Sequence, residues 1–196
     1  MPASPSKARR AFTLIELLIS SVLLLLMLGA AYEALVLATG YHKKLADKTQ
    51  IQQETMTVLG RLERAIGSAS VESLEVAPDG TAIRFISARS DNDFFDLDPS
   101  GAPRWYRWVG IYLENTTLVY KENQFPPPYS NVLPASYPSI DDIKLNTSVK
   151  RSNWSEQVSR LLFEDGASTI LIVLETQSKA QYTNGLTVLT RVHVAQ

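Results

Sequence analysis

The sequence predicts an α+β protein, in which one long N-terminal helix, part membrane segment and part core helix, packs on an antiparallel β-sheet head. Three observations carry this. Behind Lys7, Arg9 and Arg10, the run from Phe12 to Ala31 is almost wholly apolar. A helical hydrophobic period then continues to about Ala69. After Val71 the pattern turns to alternating, β-branched and aromatic runs separated by turn residues. The organisation expected is a basic leader at 1–11, a transmembrane helix at 12–32, its stalk and core-packing continuation at 33–69, and a β-rich head at 70–196.

The apolar run is about as long as a helix needs to cross a bilayer core at 1.5 Å per residue. Basic residues before it and Glu33 after it predict a cytoplasmic N-terminus and an exported remainder. A cleavable secretory signal and a plain anchor fit the same run. A signal has a shorter apolar region, about 7 to 15 residues, ending in small residues, and Gly29 to Ala31 would serve as such a site. Against both stands Glu16, because a carboxylate in hydrocarbon costs roughly 2.5 to 3.5 kcal/mol on insertion scales. Neither a signal nor a simple anchor gains anything from it.

An acid in that place asks for a partner. The nearest one is an α-amino group: a cut between Ala11 and Phe12 would leave a cation about one helical turn from Glu16. The pair could form within one chain or between neighbours. Between packed helices it would fix their axial stagger, since a register shift would leave a buried charge unpaired.

The residues "RRAFTLIELLIS" closely resemble the type III leader motif of type IV pilins and type II secretion pseudopilins. That motif is a short basic leader, a small residue, then Phe-Thr-Leu-Ile-Glu and a Leu-rich helix. The resemblance implies cleavage after Ala11 by an inner-membrane prepilin peptidase, N-methylation of Phe12 and a docking role for Glu16. The family's usual residue before the cut is Gly; here it is Ala11. The large head, the helix ending "LGRLERAIGSA" and the missing cysteine pair look more like a minor subunit than a major pilin. They are similar to the J-type minor pseudopilin of type II secretion; a W-type minor pilin of a type IV pilus has a comparable layout. The implied protein is structural, not an enzyme. It would prime a type II secretion pseudopilus from a tip complex or, alternatively, serve a type IV pilus in initiation, adhesion or DNA uptake. The partners implied are other minor and major pilins or pseudopilins, the prepilin peptidase, the inner-membrane assembly platform and membrane lipid. The place implied is the bacterial inner membrane, with a periplasmic head.

Beyond Tyr32, the residues Tyr41, Leu45, Ile51, Met56, Leu59, Leu62 and Ile66 fall within about 140° on a helical wheel. Lys48 and Glu63 interrupt the arc, and Gly67 stands where a left-handed C-terminal cap would end the helix. In the head, "TAIRFISAR" alternates as a strand, while "RWYRWVGIYLE" and "TLVYKE" flank Asn115 and Thr116 as a hairpin. Val158 to Phe163, Thr169 to Thr176 and Leu186 to Val194 are further strands. Turn residues between short strands predict antiparallel pairing rather than βαβ units. The proline-rich stretch "NQFPPPYSNVLPASYPS" excludes a central strand or helix. It reads as a loop that either makes contacts or packs along the sheet through Phe125, Tyr129 and Tyr137.

Little chemistry is advertised. After the leader the chain has 16 basic against 20 acidic side chains, a net of −4, so no basic face for nucleic acid is expected. There is no cysteine, which excludes disulfides and thiolate metal sites. Asp91, Asp93, Asp96 and Asp98 in "SDNDFFDLDPSG" are candidate calcium ligands, since calcium takes six to eight oxygens. Their spacing is not that of an EF-hand, and a solvated turn is the plainer reading; no cofactor is expected. His42 and His193 stand apart in sequence, so no catalytic triad is expected. Arg104 and Arg107 interleave with Trp105, Tyr106 and Trp108, a pattern that can stack on single-stranded DNA. Strand alternation accounts for it more simply, with Trp105, Arg107 and Val109 on one face and Arg104, Tyr106 and Trp108 on the other, one face being core and the other a cation–π covered surface. The sequons at Asn115, Asn146 and Asn153 are given no role.

Overall fold

The computed structural model describes residues 13–90, 92, 94–127, 129–134, 136–166, 169–177 and 185–194. The chain divides into two compact units, Met1–Ala46 and Asp47–Gln196. Helix α1, Leu14–Ile66, contributes to both. Within the first unit every described residue is exposed, including Leu14 at 83% and Met27 at 73%. Among the described residues α1 is the one helix long and apolar enough to cross a membrane. In its apolar stretch the Ser21 hydroxyl donates to the Leu18 carbonyl at 2.8 Å. Such back-bonding satisfies a hydroxyl where hydrocarbon offers no partner.

In the second unit α1 buries Ile51, Thr55, Val58, Leu59, Leu62 and Ile66, an arc of about 100° at 3.6 residues per turn. The expected arc was displaced from this one. It took in Tyr41, Leu45 and Met56, which are exposed, and passed over Thr55 and Val58. Tyr41 and Leu45 belong to the first unit and do not mark the core face. Thr55 was passed over because it is polar; its hydroxyl donates to the Ile51 carbonyl at 2.7 Å and meets the Thr176 hydroxyl at 2.7 Å.

The helix stops at Ile66, short of Ala69. Gly67 does not take the expected left-handed conformation; among the described residues positive φ occurs at Gly80, Gly101 and Asn115. Its N–H donates to the Glu63 carbonyl at 2.8 Å, and the Ala69 N–H donates to that of Ile66 at 2.9 Å. What makes glycine suit the position is proximity: a Cβ there would lie 2.9 Å from the Glu63 carbonyl oxygen. A 3-10 turn, Val71–Ser73, then leads into the head.

Among the described residues the head has two antiparallel sheets rather than one. Strands β1 (Glu75–Val76), β2 (Ala82–Ser87), β3 (Arg107–Glu114), β4 (Thr117–Gln124) and β5 (Lys150–Ser155) form a sheet in chain order. Strands β6 (Val158–Gly166), β7 (Thr169–Thr176) and β8 (Leu186–His193) form the other. The β3–β4 hairpin turns at Asn115-Thr116 as expected, with Glu114 opposite Thr117 and Asn115 at φ 56°, a conformation asparagine tolerates. Strand β7 alternates as a half-buried strand should, with Ile170, Ile172, Leu174 and Thr176 inward. Ile170, Ile172 and Leu174 join Val58, Leu62 and Ile66 of α1 and Phe85, Val109, Ile111 and Leu118 of the larger sheet in one core.

The opposite face of the larger sheet is covered by α2 (Ile140–Leu145). A reciprocal capping box starts this helix: the Asp142 N–H donates to the Ser139 hydroxyl at 3.2 Å, and the Ser139 N–H donates to the Asp142 carboxylate at 3.1 Å. Ile143 sits on Gly110 of β3, where a Cβ would approach its Cγ2 to 2.5 Å. Lys121, paired with Gly110 in register, reaches the other end of α2. Its Nζ donates to the carbonyls of Ile143, Lys144 and Asn146 at 3.0, 2.8 and 2.9 Å, taking the carbonyls that a helix end leaves unsatisfied. Burial holds its ammonium below the ordinary lysine range.

With both faces covered, β3 is buried at six successive positions, so the expected split into core and surface faces does not hold. Trp105 and Trp108 pack in the same cluster with Ile86, Ala88 and Ile143. Alternation fails there because the strand begins at Arg107; Trp105 lies before it, in an isolated bridge to Ser130. Among the described residues, Arg84 lies over Tyr137, and Lys121 and Lys144 over Tyr112, in cation–π contacts. The proline-rich loop packs as its aromatic residues suggested. Phe125, Leu133 and Tyr137 lie against that cluster, and Tyr129 meets Tyr106 with ring centroids 4.0 Å apart.

Candidate functional site

Glu16 stands in the first turn of α1, and Thr13 immediately precedes the helix. The Thr13 N–H and hydroxyl both donate to Glu16 Oε2 at 3.0 Å, and the Glu16 N–H donates to the Thr13 hydroxyl at 3.3 Å. This is a capping box. It satisfies backbone donors that an α-helix leaves open at its start, and it places a negative charge at the positive end of the helix dipole. The spacing Thr-Leu-Ile-Glu is the signature of such a box, so this second role of Thr13 was legible in the sequence. Both bonds to the carboxylate fall on Oε2, leaving Oε1 with none among the described residues. The acid is thus held by its own helix and keeps an oxygen for another donor.

Ala11 and Phe12, the expected processing positions, lie outside the described residues, as do Asp91 and Asp93. The remaining acidic-loop candidates serve the loop itself. Asp98 Oδ1 accepts from the Ser100 N–H at 2.8 Å, the Ser100 hydroxyl at 2.5 Å and the Ala102 N–H at 2.9 Å. Its Oδ2 accepts from Asn131 at 2.9 Å. The Ser100 hydroxyl and then the Ala102 amide hold this carboxyl below its usual range. Asp96 accepts from the Tyr106 hydroxyl, which is thereby held above its usual range, and lies 3.8 Å from Arg104. Among the described residues no three His, Cys, Asp or Glu side chains gather as a metal site would require. His42 and His193 are both exposed.

A buried ion-pair network of the head, centred on Glu122, was not legible from sequence spacing. Glu122 Oε2 accepts from Arg107 Nη1 at 2.5 Å and the Tyr120 hydroxyl at 2.8 Å, and its Oε1 accepts from Lys150 at 2.5 Å. Arg107 Nε and Nη2 donate to the Arg89 carbonyl at 3.1 and 2.8 Å, and Nη2 also donates to that of Ser90. Burial works against the charge on Glu122. The donors Lys150, Tyr120 and Arg107 outweigh it and hold the carboxyl below the ordinary glutamate range.

Comparison with known proteins agrees with the N-terminal geometry. The family described as Prokaryotic N-terminal methylation motif matches residues 6–32, a span that contains Thr13, Glu16 and the whole apolar run from Phe12 to Ala31. Neither the curated proteins nor the solved structures yield a match to this chain. The chain thus carries a prokaryotic N-terminal methylation motif, a 53-residue helix that begins within it and an antiparallel head, an architecture similar to that of type IV pilin-like proteins.

Proposed function

We propose that this chain is a minor, J-type subunit of a type II secretion pseudopilus, which enters a tip complex and primes assembly after cleavage between Ala11 and Phe12. The observation that carries the reading is one carboxylate, Glu16, at the start of an apolar helix inside the methylation motif. Cleavage would give Phe12 an α-amine, N-methylated but still cationic, next to the residue that already holds Glu16. In its own chain the capping box orients the carboxylate. From a neighbouring chain the Phe12 amine reaches the remaining oxygen and sets the stagger of the bundle, since any other register leaves two charges unpaired in hydrocarbon. The N-terminus stays cytoplasmic and the head lies in the periplasm. The role is mechanical, and no bond of a substrate is broken.

The test uses the full chain in membranes of a host with the assembly machinery. A mature N-terminal mass corresponding to N-methylated Phe12 is expected. Glu16→Ala should leave cleavage intact and reduce co-purification of partner subunits by about tenfold or more. Recovery of a pilus major subunit, not a pseudopilus one, would move the chain to a type IV pilus as a W-type minor pilin. Undiminished recruitment by Glu16→Ala would overturn the assembly reading altogether.

A further inference from the structure

The unit Asp47–Gln196 holds 14 basic and 18 acidic side chains, a net of −4, yet five of the 14 converge on one cleft. It lies between the end of α1 and the larger sheet and has a volume of about 270 Å³. Arg61 and Arg64 reach it from α1, Arg89 from just beyond β2, Arg107 from β3 and Lys150 from β5. Glu122 is the one carboxylate among the described lining residues, and both of its oxygens are taken by Arg107, Tyr120 and Lys150. Arg107 is tied to the Arg89 and Ser90 carbonyls, and Arg64 and Arg89 are themselves engaged. The adaptable cations are therefore Arg61, which is exposed, and Lys150, whose side chain is 73% exposed and which has three donors, one of them given to Glu122. Tyr120 and Trp154 form one wall, their rings stacked with centroids 4.6 Å apart at 14°.

We propose that this cleft binds a carboxylate presented by an acidic segment of a neighbouring pilin-like subunit. Arg61 reaches the cleft from α1 and Lys150 from β5, so an incoming carboxylate can accept from both. A guanidinium fork matches a carboxylate in shape as well as charge. The volume admits a single side chain, whereas a nucleic-acid strand needs cations spaced along a track. For the source of the segment, and for that clause alone, the inference rests on the assembly reading. Subunits gathered by their helices hold their heads at high effective concentration, so a site of modest intrinsic strength is filled.

The experiment uses the full chain in detergent micelles and a fluorescent peptide of alternating glycine and glutamate, with a glycine–glutamine peptide and inorganic phosphate as the other arms. Anisotropy should show binding of the glutamate peptide and none of the glutamine one. Arg61→Gln combined with Lys150→Gln should weaken it by about tenfold, while Arg160→Gln, outside the cleft, should leave it unchanged. Circular dichroism of each variant, and Arg61→Gln alone, separate lost binding from lost folding. Equal binding of both peptides, or of glutamate peptide by the double variant, would overturn the proposal, and so would binding of phosphate without the glutamate peptide. Because Glu16 takes no part, peptide binding can fail while Glu16-dependent recruitment stands, and the reverse.

Discussion

The two parts of α1 have one backbone geometry and opposite burial. From Thr13 to Ala46 every described residue is exposed, although most of the early ones are Leu, Ile, Val or Ala. From Ile51 to Ile66 six side chains are buried. In the first part the apolar surface is uniform around the helix, as suits hydrocarbon on all sides. In the second it is a stripe, as suits a protein core on one side and water on the other. The same contrast governs their carboxylates. Glu16 is satisfied locally, by a residue three positions away, whereas Glu122 is satisfied by side chains 15 and 28 residues distant. An isolated helix end can draw such bonds only from its own first turn; a head can draw them from its whole fold.

The sharpest way to break that comparison is to remove Glu122. Glu122→Ala takes the Glu122 carboxylate from the buried Arg107, and a loss of about 3 to 5 kcal/mol of head stability is expected from urea denaturation in micelles. The pH dependence tests the same point. The folded carboxyl of Glu122 titrates below its unfolded value of about 4.3, so the unfolded chain binds the proton first. Its stabilisation is full above the unfolded value and is lost as pH falls through the folded one. Glu122→Gln should flatten that part of the acid limb, while Asp98, also held low, keeps its own share.

A smaller effect, of about 2 to 5 kcal/mol, is expected for Leu62→Ala, which opens a cavity at a residue with no exposed surface. Leu23→Ala, the same chemistry in the first part of α1, should leave the denaturation midpoint of the head unchanged. If the two variants destabilised the head alike, the division of the helix would be wrong. The smallest effect belongs to Thr13→Ala, about 1 kcal/mol and confined to the first turn. It should appear as faster hydrogen exchange of the amides at 14–17 with no change in head melting, and Thr13→Ser should restore protection.

Much of this was legible because it depends on neighbours in sequence. The membrane run, the Asn115 hairpin and β6 to β8 follow from local pattern and turn chemistry, and the motif around Glu16 from a contiguous string. The errors were of one kind. Strand β5, "KRSNWS", is too polar to read as a strand and exists because β4 offers it an edge. Helix α2 carries a capping box in plain view, but six residues form a helix only when something holds both ends, and Lys121 of a distant strand holds one. The buried arc of α1 was misplaced because Thr55 looks polar until Thr176 meets it.

By itself, then, the sequence determined that an apolar helix with one acid at its entrance precedes an antiparallel head, since solvent preference and turn conformation are properties of short segments. The tertiary structure decided that the head has two sheets, that both faces of β3 are covered, and that cations from α1, β3 and β5 share one cleft around Glu122. Those outcomes depend on which segments meet, and a one-dimensional pattern carries no record of which strand will lie beside a given lysine.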